Sequence, residues 1–240
     1  MTHHHTATAN AHVEDPVETV DAVLLDLDGT LVDSVYAHTL AWKSAFRDVG
    51  MDVPAHRIHR AIGISGDRLV AHVAGDRVEA AVGDAVRDAH RRHLDERLHD
   101  VVPTDGARDL LEALRERDVT VVLASAGGAE ITGRLLDLLE AAKLLDEVVT
   151  GSDVDSGKPS GELVAAAMAA VAADRAVLVG DTVWDVQAAT DAGIPCVGLL
   201  TGGIAESELR EAGAIAVFDT PRDLAEHLDE VLPSDNHPLG

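Results

Sequence analysis

Residues 21–34 read DAVLLDLDGTLVDS. Five apolar residues, Ala22, Val23, Leu24, Leu25 and Leu27, surround the acid Asp26, and a second acid, Asp28, follows. An exposed run of this kind aggregates, and a buried one strands charge unless a cation or hydrogen bonds satisfy it. The pair therefore needs either a cation or a chemical task. The run does not alternate between apolar and polar, which suits a strand covered on both faces, as in a parallel sheet.

Five more runs share that character: VTVVLASAGG (119–128), EVVTGSD (147–153), AVLVGDT (176–182), IPCVGLLTGG (194–203) and AIAVFD (214–219). Helical patterns lie between them. GAEITGRLLDLLEAA spaces its apolar residues helically, SGELVAAAMAAVA is alanine-rich with Ser160 placed to cap its start, and TVWDVQAATDAG ends in a helix-stopping glycine. The alternation predicts an α/β domain with a doubly wound parallel sheet. Ligands of such sheets bind beyond the carboxyl ends of the strands, where Asp26, Asp28, Ser125 and Asp181 fall. Residues 34–102 break the rhythm, contain no strand-like run, and read as an inserted α-helical subdomain over the strand ends. The expected organisation is a disordered lead (1–19), a core in two segments (20–33 and 103–232), the helical insertion (34–102) and a disordered tail (233–240).

The totals narrow the function. The chain has 240 residues, 46% of them hydrophobic but only 2% aromatic, so its core is built from Val, Leu, Ala and Ile. Its formal net charge is −24, and it holds three lysines: Lys43, Lys143 and Lys158. That field repels nucleic acid and anionic membranes, and neither is an expected partner. Such an acidic surface suits a high-salt cytoplasm or a GC-rich genome. The single cysteine, Cys196, permits no internal disulfide, reads as a small core residue and suits a reducing, cytoplasmic setting. No apolar segment reaches transmembrane length, and the start of the chain lacks the pattern of a signal peptide.

Three acidic strand ends, with Asp185 a turn beyond Asp181, make a site of hard oxygens that suits Mg2+. Asp26 and Asp28 are two apart, so in regular strand geometry both side chains would face one way.

DLDGTLVDS, Ser125 after its strand, GKP at 157–159 and GDTVWD at 180–185 together resemble the four motifs of the haloacid dehalogenase superfamily, in order and spacing, across roughly residues 20–220. The resemblance implies a Rossmann-like core, and the helical insertion resembles the family's cap placed after the first motif. It implies that Asp26 attacks phosphorus to form an aspartyl-phosphate, and that Asp28 protonates the leaving alkoxide and then deprotonates water. Asp28 would also offer its backbone carbonyl to Mg2+, while Gly29 and Thr30 turn the chain sharply. Asp181 would ligate the metal directly and Asp185 directly or through water. Ser125 and the Ala126 amide would hold phosphoryl oxygens, and Lys158 would neutralise charge between nucleophile and phosphate.

In the cap, His38 and Trp42 share a helix face, either as substrate-binding candidates or to pack the cap against the core. IGISGDRL (62–69) looks like the family's substrate-contacting cap loop, with Gly63, Ser65 and Arg68 as substrate-binding candidates. His90, His93 and His99, beside Arg91 and Arg92, read as a solvated helix face. Asp28 argues against dehalogenation, which needs no acid there, and for phosphate esters. The expectation is a phosphatase acting on a small phosphorylated metabolite. A sugar phosphate mutase resembling β-phosphoglucomutase is the alternative, although Gly66 and Gly127-Gly128 stand where that family holds a second phosphate. A non-catalytic phospho-aspartate regulator is a third reading, disfavoured by Asp28 and the insertion. Oligomeric state is not legible.

Overall fold

Every one of the six apolar runs supplies a strand. In the computed structural model, which describes residues 20–232, the elements follow one another as β1 (Ala22–Leu25), α1 (Val35–Asp48), α2 (Ala55–His59), α3 (Gly66–Ala74), α4 (Asp76–Asp95), α5 (Ala107–Glu116), β2 (Thr120–Ser125), α6 (Ala129–Leu139) and β3 (Glu147–Thr150). Then come α7 (Glu162–Ala170), β4 (Ala176–Gly180), α8 (Val183–Ala192), β5 (Cys196–Leu199), α9 (Glu206–Ala212), β6 (Ala216–Phe218), α10 (Pro221–Glu226) and α11 (Leu228–Val231). The proposed lead (1–19) and tail (233–240) lie outside the described residues.

The six strands form one sheet in the order β3-β2-β1-β4-β5-β6, and all pairings are parallel. The unbroken apolar runs are explained by which way alternate residues face. Val23, Leu25, Val177 and Val179 pack with Leu110, Leu135 and Leu224 of α5, α6 and α10 on one face. Ala22, Leu24, Ala176 and Leu178 pack with Leu163, Val186 and Leu209 of α7, α8 and α9 on the other. Both faces are covered, so a polar residue on either one would be buried. Cys196 lies in the second of these clusters, as a small core residue.

Between β1 and β2 the chain leaves the sheet. Helices α1 to α4 gather their own core around Trp42, Phe46, Ile58, Leu69, Val70 and Val86. Outgoing and returning strands run side by side: Asp33 N–H donates to the Val102 carbonyl at 2.8 Å and Thr104 N–H to the Leu31 carbonyl at 3.0 Å.

The helix stop at Gly193 is as the sequence predicts, with φ +75°. Ser160 is displaced from its expected place. Helix α7 begins at Glu162 with Gly161 in the capping position, and Ser160 Oγ accepts from Glu162 N–H at 3.3 Å from one residue further out.

Candidate active site

The strand order sets the site. The chain winds from β1 outward to β2 and β3, then returns to the other side of β1 as β4. The crevice between β1 and β4 is therefore the point where the winding reverses, and such points open ligand sites. Leu25 pairs with Val179, and Asp26 N–H donates to the Val179 carbonyl at 2.9 Å, so Asp26 and Asp181 emerge together.

Asp26, Asp181 and Asp185 are all buried, and their carboxylate oxygens lie within 4.8 Å of one another. Lys158, wholly buried, reaches in from the loop after β3: its Nζ is 2.5 Å from Asp26 Oδ1 and 2.6 Å from Asp185 Oδ1. Three buried carboxylates around one ammonium leave excess negative charge. Burial pushes Asp26 up to about 7 against the opposing pull of Lys158. Burial, with Asp185 beside it, pushes Asp181 well above the carboxylate range. Burial would depress Lys158, but Asp185 and Asp26 outweigh it and hold the ammonium charged.

The cluster fits a divalent cation. Thr30 Oγ1 donates to Asp181 Oδ1 at 3.1 Å, whereas Asp181 Oδ2 is buried with no hydrogen-bond partner. Side chains are kept off that oxygen by Gly29, at φ +83°, and Gly202: a Cβ at either position would collide with it. An orphaned buried carboxylate oxygen in an all-oxygen donor set is what a hard cation satisfies. Asp185 has a second duty as well. Its Oδ2 accepts from Thr182 N–H at 3.1 Å and from Thr182 Oγ1 at 2.6 Å, closing a capping box on α8. The metal reading and the helix-start reading of Asp185 are compatible, since Oδ2 closes the cap while Oδ1, shared with Lys158, faces the other acids.

Asp28 does not join the three acids. Strand β1 ends at Leu25, so strand geometry does not carry on to Asp28, and its carboxylate turns toward the insertion. Asp28 Oδ1 accepts from Ser34 Oγ at 2.5 Å and from His38 Nε2 at 3.0 Å. Burial alone would raise Asp28, but His38 and the Ser34 hydroxyl hold it below its ordinary value. Ser125, at the end of β2, is fully buried; its Oγ accepts from Gly127 N–H at 3.1 Å and Thr132 Oγ1 at 3.3 Å, leaving its own hydrogen to give.

A cavity of about 860 Å³ opens above this cluster, between insertion and core. Asp26 and Asp28 reach its wall, as do Ala126, Gly127 and Gly128, while Lys158, Asp181 and Asp185 lie behind. From the insertion come His38, Trp42 and Gly63. At Gly63 (φ +97°) a Cβ would sit 2.7 Å from Thr182 Oγ1, which binds the cap loop tightly to the start of α8.

Two candidates of the cap loop are placed otherwise. Arg68 is exposed on α3 and does not line the cavity. Ser65 faces away from it: its N–H and Oγ both donate to the Lys158 carbonyl, at 3.3 and 3.1 Å, tying the cap loop to the lysine loop. The histidine reading also needs correction. His90 is not on a solvated face. Its Nε2 is 3.2 Å from His38 Nδ1, and its ring stacks on Trp42 at 3.9 Å between centroids. Desolvation, then the neighbouring His38, push His90 well below its ordinary value, so it is neutral. Its helical spacing from buried Val86 and Leu94, four residues to either side, is the signal that marks it.

The profile of haloacid dehalogenase-like hydrolases matches residues 23–199. Among curated relatives, the chain is 31% identical over 206 residues to a Validoxylamine A 7'-phosphate phosphatase of Streptomyces hygroscopicus subsp. limoneus, covering 80% of this chain and 91% of that one. It is 32% identical over 189 residues to a Phosphoglycolate phosphatase of Pseudomonas putida, covering 75% and 69%. Among solved structures, a hydrolase from Pseudomonas syringae superposes with a TM-score of 0.84 at 33% identity, covering 89% and 99%. With the family match running from β1 through β5 and taking in Asp26, Asp181, Asp185 and the helical insertion, the chain belongs to the haloacid dehalogenase-like hydrolases.

Proposed function

We propose that this chain is a Mg2+-dependent phosphatase that hydrolyses a small phosphorylated metabolite through an aspartyl-phosphate on Asp26. The observation that supports it most is the placement of Asp26: alone among the three clustered acids it reaches the open cavity, while Lys158 grips its other side. In this reading an Asp26 oxygen attacks phosphorus in line and the ester P–O bond breaks. The leaving alkoxide takes a proton from Asp28. Asp28, again a carboxylate, then removes a proton from a water that attacks the same phosphorus, freeing Asp26 and inorganic phosphate.

The chain's own residues prepare each step. Ser125 and the Ala126 amide offer hydrogens to phosphoryl oxygens. Lys158 holds positive charge where the phosphoryl oxygens would gather. His38 orients the Asp28 carboxylate and favours its base form, and an arriving phosphate dianion raises its proton affinity for the acid step. Asp26, Asp181, Asp185 and the Asp28 carbonyl would hold Mg2+, whose chemistry is to offset charge between nucleophile and phosphate. Relatives named for validoxylamine A 7'-phosphate and for phosphoglycolate agree with phosphate ester chemistry.

The test is phosphate release from an aryl phosphate with and without Mg2+. Wild type should turn over only with the metal, and Asp26→Asn should fall to background. Because burial makes ionised Asp26 costly, that variant should melt no lower than wild type in chelator at pH 8. Near wild-type turnover by Asp26→Asn would refute the nucleophile. A mutase would instead require catalytic hexose bisphosphate and release no phosphate.

A further inference from the structure

Beyond Asp26 and Asp28, the cations of the cavity wall are already spoken for. Four arginines line it. Arg87 donates to Glu79 at 2.7 and 2.9 Å and to Asp84 at 2.8 Å. Arg91 bonds Asp88, Arg134 bonds Asp95, and Arg92 lies 3.7 Å from Asp48. Of the two histidines on the wall, His38 is engaged by Asp28 and His90 is neutral. The arginine among the cap-loop candidates, Arg68, does not line the cavity. Lys158, the remaining cation at this site, is held by Asp26 and Asp185.

Against these stand carboxylates with no partner. Asp67 and Glu130, both exposed, line the cavity and make no hydrogen bond or ion pair among the described residues. A carboxylate accepts hydrogens from hydroxyl groups and repels another anion. The space also exceeds what a two-carbon acid fills: about 860 Å³ lies in the range of roughly 300–1,000 Å³ that encloses drug-sized ligands.

Resting on the phosphatase reading above, we propose that the leaving-group pocket selects neutral, hydroxylated ring alcohols, as sugar or cyclitol phosphates of one or two rings, and rejects leaving groups that carry a second anion, such as glycolate. Phosphoglycolate presents its carboxylate to paired arginines and unpaired acids. A ring polyol presents donors to Asp67 and Glu130.

The experiment compares kcat/KM of the full chain with Mg2+ on hexose monophosphates, inositol monophosphate and phosphoglycolate, with an aryl phosphate as reference. The best ring phosphate should exceed phosphoglycolate by about tenfold or more, the size of one good charge or hydrogen-bond mismatch. Asp95→Asn releases Arg134 into the cavity and should raise the phosphoglycolate-to-ring ratio by about threefold, the scale of an exposed ion pair. Circular dichroism checks that this variant folds. Aryl phosphate turnover with phosphoglycolate equal to or better than every ring phosphate overturns this proposal alone. So does an unchanged ratio in folded Asp95→Asn. No turnover of any ester, the aryl phosphate included, overturns the phosphatase reading and this proposal with it.

Discussion

Asp181 is held in place from two directions. Thr30 fixes one oxygen, and the bare backbones of Gly29 and Gly202 flank the other. Gly202 has no left-handed φ to excuse it, so its small size is explained by this approach alone. Gly202→Ala should therefore fold yet shift Asp181 out of reach of a cation. Wild type should gain Tm on adding Mg2+ and the variant should not, with turnover falling alongside. A variant that keeps the full shift would show that Asp181 does not bind the metal. At this scale the sequence was legible where chemistry left a mark on composition. Asp26 and Asp181 stand out because nothing apolar needs an acid at its end, and Lys158 because the chain has only three lysines. Gly202 was hidden, since one glycine in TGG looks like any turn. Arg68 and Ser65 were misplaced because a loop's direction depends on the wall it packs against, which spacing does not encode.

Helix α4 shows the same limit one level up. Its charged letters, DAHRRHLD around His90, suggest solvent, yet buried Gly83, Val86, Ala89 and Leu94 trace one inward stripe with His90 on it. Burial depresses His90 below 6.5, so the unfolded chain binds the proton more readily than the folded one. Stability from this group is therefore full above pH 6.5 and is lost as pH falls below it, by at most about 1.4 kcal/mol per pH unit. His90→Phe keeps a ring against Trp42 and removes the titration. Between pH 7.5 and 5.5 its Tm should fall less than that of wild type, and equal slopes would place the His90 proton elsewhere. The comparison between the two proteins is needed because Asp26, raised to about 7, contributes a slope of opposite sign. The strands were plainer than the helices. Six runs buried on both faces can have only one hydrophobic pattern, whereas a helix between core and cavity mixes core, wall and solvent in one turn.

Across the whole molecule, the formal charge of −24 governs behaviour in salt. Most arginines pair with acids at the surface, as Arg60 does with Glu208, Arg115 with Asp146 and Arg222 with Asp105, and each such pair contributes little, about 0–1 kcal/mol. Unpaired acids remain in excess and repel one another. Raising NaCl from about 0.05 to 1 M shortens the screening length to about 3 Å and should raise Tm. A Tm that fell across this range would mean that the pairs outweigh the repulsion. At the neck of the insertion Asp33 meets Val102 and Leu31 meets Thr104. Both ends of the helical insertion pass through one hydrogen-bonded spot, while His38 and Ser65 clip its inner face to Asp28 and to the Lys158 carbonyl, so its tether and its seat over the acids are separate. Changes to its outer helices leave the acids below untouched, whereas changes at His38 or Ser65 reach Asp28 and the lysine loop.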